Sequence, residues 1–158
     1  MAGKALIDLS GHAPYTLCGK SVSGGLDAQS WGWVMVKRIL VIEDNEDIAL
    51  VVVTTLRMRE YDVVTASDGV QGLHTALSSK FDLIILDMLI PELDGHQVLS
   101  QLKSDPRTAH VPIAVFSAQM DEEDRRSVVD AGARAILIKP FEPRQFIKEV
   151  GALLDEDV

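Results

Sequence analysis

Short apolar runs alternate with amphipathic segments from residue 37 almost to the end of the chain. Five of these runs are rich in Val, Ile and Leu or are bounded by turn residues, as is typical of β-strands. The predicted strands cover residues 38–42, 61–66, 82–86, 112–117 and 135–138. Because most of the runs lack a polar alternation, we expect strands that are buried on both faces of a sheet.

Apolar positions recur at helical spacing between and after these strands. Val70, Leu73 and Leu77, for example, share one helical face. Asp121 is the expected cap of the fourth helix, and Gly132 is expected to close it. The predicted helices cover residues 46–59, 70–79, 95–104, 121–131 and 142–154. Regular alternation of strands and helices predicts an α/β fold, a doubly wound parallel sheet of five strands with five helices.

The first 34 residues lack this pattern and are rich in Gly, Ser and Ala. We therefore place one domain at residues 35–158 and an N-terminal leader at residues 1–34. Our interpretation of the leader is a segment that is disordered or not native, because Met35 could itself serve as the first residue. The alternative is a docking segment, which the aromatic pair Trp31 and Trp33 would support.

Composition and charge exclude several classes of function. The chain has 158 residues, 47% of them hydrophobic, which is enough for one domain with its own core. Its net charge is -9, so we expect neither direct DNA binding nor association with a membrane. Cys18 is the single cysteine, and the sequence has no signal-peptide pattern and no long apolar span. These features predict a reducing, cytoplasmic setting.

Polar residues stand where four of the predicted strands end. Glu43 and Asp44 follow the first strand, Asp87 follows the third, Ser117 ends the fourth, and Lys139 follows the fifth. Ligands of such sheets bind beyond the carboxyl ends of the strands, where the strand order reverses. Taken singly, these residues have structural explanations as helix caps, turn residues or a surface lysine. If the strand order is 2-1-3-4-5, they converge, and their convergence indicates a functional site.

The acids of this set favour a metal and a phosphoryl group. Three unpaired carboxylates repel one another unless protons or a cation compensate them. Because the candidate ligands are all oxygens, we expect Mg²⁺, with Mn²⁺ as an acceptable substitute. Mg²⁺ commonly shares its coordination shell with phosphate. Asp87, the lone acid on the central strand, is therefore the predicted nucleophile of an aspartyl phosphate, and Lys139 would help to neutralise the transferred oxygens.

Four segments carry a resemblance to a known family. They read "LVIEDNED", "LIILDMLIPELDG", "IAVFSA" and "LIKPF". Their order and spacing are similar to those of the receiver domain of bacterial two-component response regulators, chemotaxis receivers included. The resemblance covers roughly residues 37–154. It implies a flavodoxin-like sheet of order 2-1-3-4-5, and it implies that Asp87 accepts a phosphoryl group from a histidine kinase or a histidine phosphotransfer protein.

The same resemblance implies roles for the other site residues. Ser117 would hydrogen-bond the phosphoryl group, Lys139 would pair with it, and the peptide bond before Pro140 would be cis. The implied ligands of Mg²⁺ are Glu43, Asp44, Asp87 and the backbone carbonyl of Leu89.

The sequence departs from many receivers at Ile136, three residues before the lysine, where they carry an aromatic side chain that swings inward. An aliphatic side chain does not support that form of output. We expect instead that movement of Ser117 and the following loop reshapes the surface of the fourth helix, fifth strand and fifth helix. Leu89 and Gln119 flank the route of water to the aspartyl phosphate, and the apolar Leu89 predicts a longer-lived phosphate.

The sequence ends soon after the fifth helix, so we expect a stand-alone receiver that signals by altered binding to an unknown downstream protein. It would phosphorylate itself rather than act as a conventional turnover enzyme. One alternative is a scaffold that keeps the fold without phosphorylation. Another is a phosphatase of the haloacid dehalogenase type, which is disfavoured because that family places its nucleophile after the first strand, with a second Asp two residues later.

Overall fold

The computed structural model describes residues 15–16 and 34–154, with the side chains of residues 36–154. The chain divides into two units, Met1–Val36 and Lys37–Val158. In the first unit, Tyr15–Thr16 pairs antiparallel with Val34–Met35. Trp31, Trp33 and the predicted disorder or non-native origin of the leader lie outside the described residues, and these interpretations stay predictions.

The second unit is built on a parallel sheet of five strands. They are β1 (Arg38–Ile42), β2 (Asp62–Ala66), β3 (Leu83–Asp87), β4 (Ile113–Ser117) and β5 (Ala135–Ile138). Their order across the sheet is β2-β1-β3-β4-β5, and each neighbouring pair is parallel. The predicted order 2-1-3-4-5 is confirmed. Because β1 and β3 are neighbours, the loops that follow these two strands leave the same point of the sheet edge.

In the described part of the second unit, five helices connect and follow the strands. They are α1 (Glu46–Arg57), α2 (Gly69–Ser78), α3 (Gly95–Ser104), α4 (Glu122–Asp130) and α5 (Pro143–Leu154). The side chain of Asp121 accepts the amide N–H of Asp124 at 2.8 Å, which confirms the predicted cap of the fourth helix. Across the described residues, no helix is both long and apolar enough to cross a membrane.

Two apolar layers enclose the sheet, and β1 contributes to both. Leu40 and Ile42 pack into the layer under α2, α3 and α4, whereas Ile39 and Val41 pack into the layer under α1 and α5. All four side chains are fully buried. The alternation follows from the two-residue period of a strand, and it confirms a sheet that is covered on both faces.

Most element boundaries lie within one residue of their predicted positions, and two of the differences concern helix α1 and strand β3. Helix α1 ends at Arg57 rather than at residue 59, because the chain turns through Glu60, whose φ is 62° and whose amide donates to Arg57 O at 2.9 Å. Strand β3 extends to Asp87, which pairs in register with Phe116 of β4. Asp87 is thus the last residue of the strand rather than the first residue after it. Pairing with β4 therefore fixes the position of the Asp87 backbone.

Candidate functional site

Three carboxylates meet at the carboxyl ends of β1 and β3. Glu43, Asp44 and Asp87 each offer an oxygen, and these oxygens all lie within 4.8 Å of one another. Glu43 and Asp87 are buried, whereas Asp44 is exposed. The predicted convergence of the three acids is therefore present, and it results from the adjacency of β1 and β3.

Asn45 performs the capping function that either acid before α1 could have had. Its side-chain oxygen accepts the amide N–H of Ile48 at 3.0 Å. Its own amide N–H donates to Glu43 Oε1 at 3.1 Å. The cap is thus an amide side chain without charge, and it leaves Glu43 Oε2 and the Asp44 carboxylate for other partners.

Lys139 is the cation inside the acidic group. Its Nζ donates to Glu43 Oε2 and to Asp87 Oδ2, at 2.6 Å in each case. The side chains are little exposed, at 13% for Lys139, 1% for Glu43 and 8% for Asp87. The ammonium also lies 4.5 Å from the centre of the Phe116 ring, within the range of a cation–π interaction. One ammonium therefore serves two buried carboxylates, while Asp44 adds a third negative charge beside them.

Burial and hydrogen bonding shift the pKa values of Glu43 and Lys139 in opposite directions. Burial raises the pKa of Glu43 above its ordinary value, and Asp87 adds to this, although hydrogen bonds from Lys139 and the Asn45 amide oppose it. Burial disfavours the charged form of Lys139, but its hydrogen bonds to Asp87 and Glu43 outweigh burial and hold its pKa above the ordinary value. Lys139 is thus a firmly charged ammonium at neutral pH.

The loop after β3 is packed closely against Asp87. Asp87 Oδ1 accepts the amide N–H of Leu89 at 3.0 Å, so the backbone of Leu89 lies beside the carboxylate. A Cβ on Gly95 would lie 2.5 Å from Met88 Cα and 2.9 Å from Asp87 O. Only glycine fits there without movement of the backbone. The Leu89 side chain is 80% exposed, and the roles predicted for its carbonyl and for its side chain in phosphate lifetime stay predictions.

Ser117 and the turn after β5 complete the edge of the site. Ser117 is buried, its hydroxyl donates to Gln119 O at 3.2 Å, and its carbonyl accepts the amide N–H of Lys139 at 2.8 Å. The Lys139–Pro140 bond is cis, as the family resemblance implies. Ile136 is half-buried and packs against the layer under α2, α3 and α4. Ser117 is therefore tied by backbone to the lysine of the site.

The donors of this site fit a divalent cation of the hard, oxygen-binding class. The three carboxylate oxygens are close enough to share one ion, and no His or Cys belongs to this cluster of the described residues. Lys139 leaves the group with an excess of negative charge, since it brings one positive charge to three acids. Mg²⁺ is bound in proteins by one or a few carboxylates together with water and phosphate oxygens, and this donor set matches that preference.

Sequence reasoning did not identify Phe116 or Asn45 as parts of the site. Phe116 lies beneath the ammonium of Lys139 and belongs to an aromatic group in which its ring centre is 5.6 Å from that of Phe141. The signal that could have indicated Phe116 is its register, because it directly precedes Ser117 and lies beside Asp87 once β3 and β4 are paired. Asn45 has the ordinary signature of a helix cap.

The comparisons with known proteins agree with this architecture. The family model described as the response regulator receiver domain matches residues 39–151. The chain is 38% identical over 117 residues to the DNA-binding dual master transcriptional regulator RpaA of Synechocystis sp., across 74% of this chain and 48% of that protein. It is 39% identical over 120 residues to the alkaline phosphatase synthesis transcriptional regulatory protein PhoP of Bacillus subtilis, across 76% of this chain and 49% of PhoP. The chain thus spans about half the length of these curated relatives.

Solved structures resemble it over nearly their whole length. The chemotaxis response regulator CheY4 of Vibrio cholerae is 28% identical with a TM-score of 0.72, covering 75% of this chain and 99% of that one. The receiver domain of the sensor histidine kinase PA1611 of Pseudomonas aeruginosa, with a magnesium ion coordinated in its active-site cleft, is 28% identical with a TM-score of 0.70, covering 75% of this chain and 98% of that one. The chain belongs to the family of response regulator receiver domains.

Proposed function

We propose that this receiver accepts a phosphoryl group on Asp87 from a phosphohistidine of a histidine kinase or phosphotransfer protein, in a reaction that requires Mg²⁺. The observation that carries the proposal is the shared ammonium of Lys139, 2.6 Å from both Asp87 and Glu43, in a group of three acids. A structural ion pair needs one acid for one base. The additional carboxylates favour a site that takes up positive charge and phosphoryl oxygens.

In the proposed transfer, a carboxylate oxygen of Asp87 attacks phosphorus and the P–N bond of the donor phosphohistidine breaks. The electron pair of that bond returns to the imidazole nitrogen, and no oxidant or reductant takes part. Lys139 already faces Asp87 and would neutralise a transferred oxygen. Ser117 would offer its hydroxyl to another, after release of its hydrogen bond to Gln119 O.

Glu43, Asp44, Asp87 and the carbonyl of Leu89 are the residues that we propose to hold Mg²⁺. When bound, the ion would neutralise charge on the phosphoryl oxygens during transfer. The sheet supplies the positioning, because Asp87 is the last paired residue of β3 and Glu43 donates its amide N–H to Ala66 O of β2 at 3.0 Å. The acids are thus placed before any ion or donor arrives.

We further propose that output proceeds from Ser117 to the surface of α4, β5 and α5. The Ser117 carbonyl holds the Lys139 amide, so movement of Ser117 would pull on the turn after β5. Ile136 would follow by repacking rather than by an inward swing of a ring. That surface would then change its affinity for a downstream protein, and a bias of only a few kcal/mol between its two states would be needed. With a net charge of -9, direct DNA contact by the receiver is disfavoured.

The experiment is the intact mass of the full chain after incubation with a small-molecule phosphodonor and Mg²⁺. We expect one added phosphoryl group in the parent, and none without metal or in Asp87→Asn. Asp130→Asn is the matched control, because Asp130 is an exposed acid at the end of α4. It should be phosphorylated like the parent.

A phosphoryl group that persists in Asp87→Asn would place the acceptor elsewhere. Absence of phosphorylation with a cognate kinase as donor, together with absence of Mg²⁺ binding by the folded parent, would favour the scaffold alternative. For the output, unchanged amide chemical shifts on α4, β5 and α5 after phosphorylation would contradict the proposed route.

A further inference from the structure

The face of the sheet that carries the acids of the site also carries an aromatic ring. Asp87 pairs in register with Phe116 of β4, and Phe116 pairs in register with Leu137 of β5. Residues in register on neighbouring strands point to the same face, and Lys139 follows Leu137 by the two-residue period of a strand. The Lys139 amide N–H donates to Ser117 O at 2.8 Å, so this period continues past the end of β5. The side chains of Asp87, Phe116 and Lys139 therefore share the face under α1 and α5.

The ring of Phe116 forms an apolar wall beside the ammonium of Lys139. Nζ lies over the ring at 4.5 Å from its centre, a distance at which the negative face of a ring attracts a cation. Phe116 is fully buried, and the Lys139 side chain is only 13% exposed. Two of the three N–H groups of the ammonium are donated to Glu43 and Asp87. The ring face therefore replaces part of the hydration that the ammonium loses on burial.

Two further rings hold the Phe116 ring in place. Its centre lies 5.6 Å from that of Phe141, in the turn between β5 and α5, and 6.1 Å from that of Phe146 on α5. The centres of Phe141 and Phe146 are 4.6 Å apart. Phe146 is only 1% exposed, so this aromatic group is part of the packed core, which resists the displacement of a single ring. The position of the ring thus determines where it can hold a cation.

The two carboxylates alone do not keep the ammonium beside Asp87 during the proposed transfer. Asp87 Oδ2 is one of the two oxygens that hold Nζ in the resting site, and Glu43 Oε2 is the other. When an oxygen of Asp87 forms a bond to phosphorus, that carboxylate loses negative charge and its attraction for the ammonium weakens. Glu43 keeps its charge and would draw the ammonium away. The attraction of the Phe116 ring depends on the charge of neither acid, and the ring belongs to the strand neighbour of Asp87.

We propose that Phe116 is a positioning residue of the phosphoryl transfer, whose ring face holds the Lys139 ammonium beside Asp87 through a cation–π interaction. Its effect on the reaction rests on the proposed function, whereas the contact between ring and ammonium does not. A residue that only fills the core needs apolar bulk, which leucine also supplies. A residue that acts through its ring face needs electron density on that face, which ring fluorines withdraw with little change of shape. The two roles therefore predict different responses to fluorination.

The test replaces Phe116 in the full chain with phenylalanines that carry one, two and three ring fluorines. With a small-molecule phosphodonor and saturating Mg²⁺, the rate of phosphorylation should fall with each added fluorine, to a total loss of about tenfold. The same replacements of Phe146 are the matched control, because Phe146 belongs to the same aromatic group while the ammonium lies over Phe116. They should leave the rate unchanged. A rate that does not follow fluorination of Phe116, or that falls equally on fluorination of Phe146, would overturn the role of the ring face.

Phe116→Leu provides a second variant, which keeps apolar bulk without a ring and should lose at least as much rate as the variant with three fluorines. The contact itself is measured without Mg²⁺ or donor, from the proton resonances of the Lys139 methylene next to Nζ. The ring current should shift them upfield in the parent, and Phe116→Leu should return them toward the position of a free lysine.

Unmoved methylene resonances in folded Phe116→Leu would overturn the contact between ring and ammonium. Moved resonances with an unchanged rate would overturn the positioning role alone. A parent that takes up no phosphoryl group from either a small-molecule donor or a cognate kinase would refute the proposed function, and the role of Phe116 in transfer with it. The methylene resonances would then still decide whether the ring holds the ammonium, so the two failures are distinguishable.

Discussion

The two ends of the sheet differ in how acids meet bases. At the amino ends of β1 and β2, Arg38 Nε lies 2.9 Å from Asp62 Oδ2 but is not aligned to donate to it, and the Asp62 side chain is 55% exposed. At the carboxyl ends, Lys139 donates to two buried carboxylates at 2.6 Å. One end has a partly exposed pair of one acid and one base, whereas the other has a buried group in which acids outnumber the base.

The difference in exposure determines at which end of the sheet charged groups interact strongly enough to influence a reaction. Exposed pairs are screened by water, and they contribute little to stability. A buried ammonium between two carboxylates is hardly screened, so removal of the ammonium leaves two buried carboxylates without a counter-charge. The carboxyl end therefore has an excess of negative charge that a bound cation would compensate. The predictions below test this contrast, beginning with the largest expected effect.

Lys139→Met should lower the rate of phosphorylation by a small-molecule donor about 100-fold, since it removes a preorganised cation from the developing phosphoryl charge. A time course of intact mass at saturating Mg²⁺ measures the rate. Lys37→Met is the matched control, because its ammonium lies 3.7 Å from the exposed Asp82 at the amino end. Equal rates for Lys139→Met and the parent would mean that Lys139 only neutralises the resting acids.

Gly95→Ala should destabilise the fold by about 2 kcal/mol, because the added Cβ meets the backbone of Met88 and Asp87. Gly151→Ala is the control, since nothing lies within 4 Å of a Cβ there. Because residue 151 lies within helix α5, Gly151→Ala should raise the free energy of unfolding by up to about 1 kcal/mol. Urea unfolding of both variants gives the comparison. Similar free energies of unfolding for Gly95→Ala and Gly151→Ala would show that the loop after Asp87 accommodates the added Cβ without strain.

Much of this contrast could be predicted from residue patterns. Apolar runs that alternate with helical periods predict a parallel sheet that is covered on both faces. Residues at the carboxyl ends of its strands must then lie at the same end of the sheet. Glu43 and Asp87 were therefore predicted to meet, although they are far apart in the chain. The family resemblance added the strand order, which places β1 beside β3.

The residue patterns did not predict which side-chain atoms contact one another. That Lys139 contacts Glu43 as well as Asp87 depends on side-chain rotamers and on the path of the cis peptide turn. That Phe116 supports the ammonium depends on strand register, which apolar runs leave open because either face of a doubly covered strand is apolar.

Asp44→Asn should weaken Mg²⁺ at least about tenfold, because it removes one of three candidate oxygen ligands and one negative charge. Asp44 is exposed, so the fold should persist. Calorimetric titration with Mg²⁺ measures the affinity, and Asp62→Asn provides an acid-to-amide control at the amino end. Unchanged affinity in Asp44→Asn would remove this residue from the proposed ligands.

Mg²⁺ affinity should fall severalfold on acidification, and the fall should begin above the pH at which an ordinary carboxyl titrates. Burial raises the pKa of Glu43, so its protonated form, which cannot serve as a ligand, appears at higher pH than in an exposed glutamate. Titrations at a series of pH values measure the trend. Glu43→Gln should bind more weakly at neutral pH and should lose this part of the pH dependence. The same pH dependence in Glu43→Gln would assign the proton to another group.

Asp62→Asn should have the smallest effect, a loss of less than about 1 kcal/mol in the free energy of unfolding. Arg38 keeps its position without the acid, because its guanidinium lies 5.2 Å from the centre of the Phe81 ring and its amide N–H donates to Asp82. Urea unfolding at low and high salt measures the loss, which should shrink further as salt screens the pair. A loss above about 2 kcal/mol that persists in high salt would make this pair as strongly coupled as Lys139 with its two acids. Charged groups would then be strongly coupled at both ends of the sheet. The excess of acids over bases would no longer be enough to distinguish the carboxyl end as the proposed site of phosphorylation.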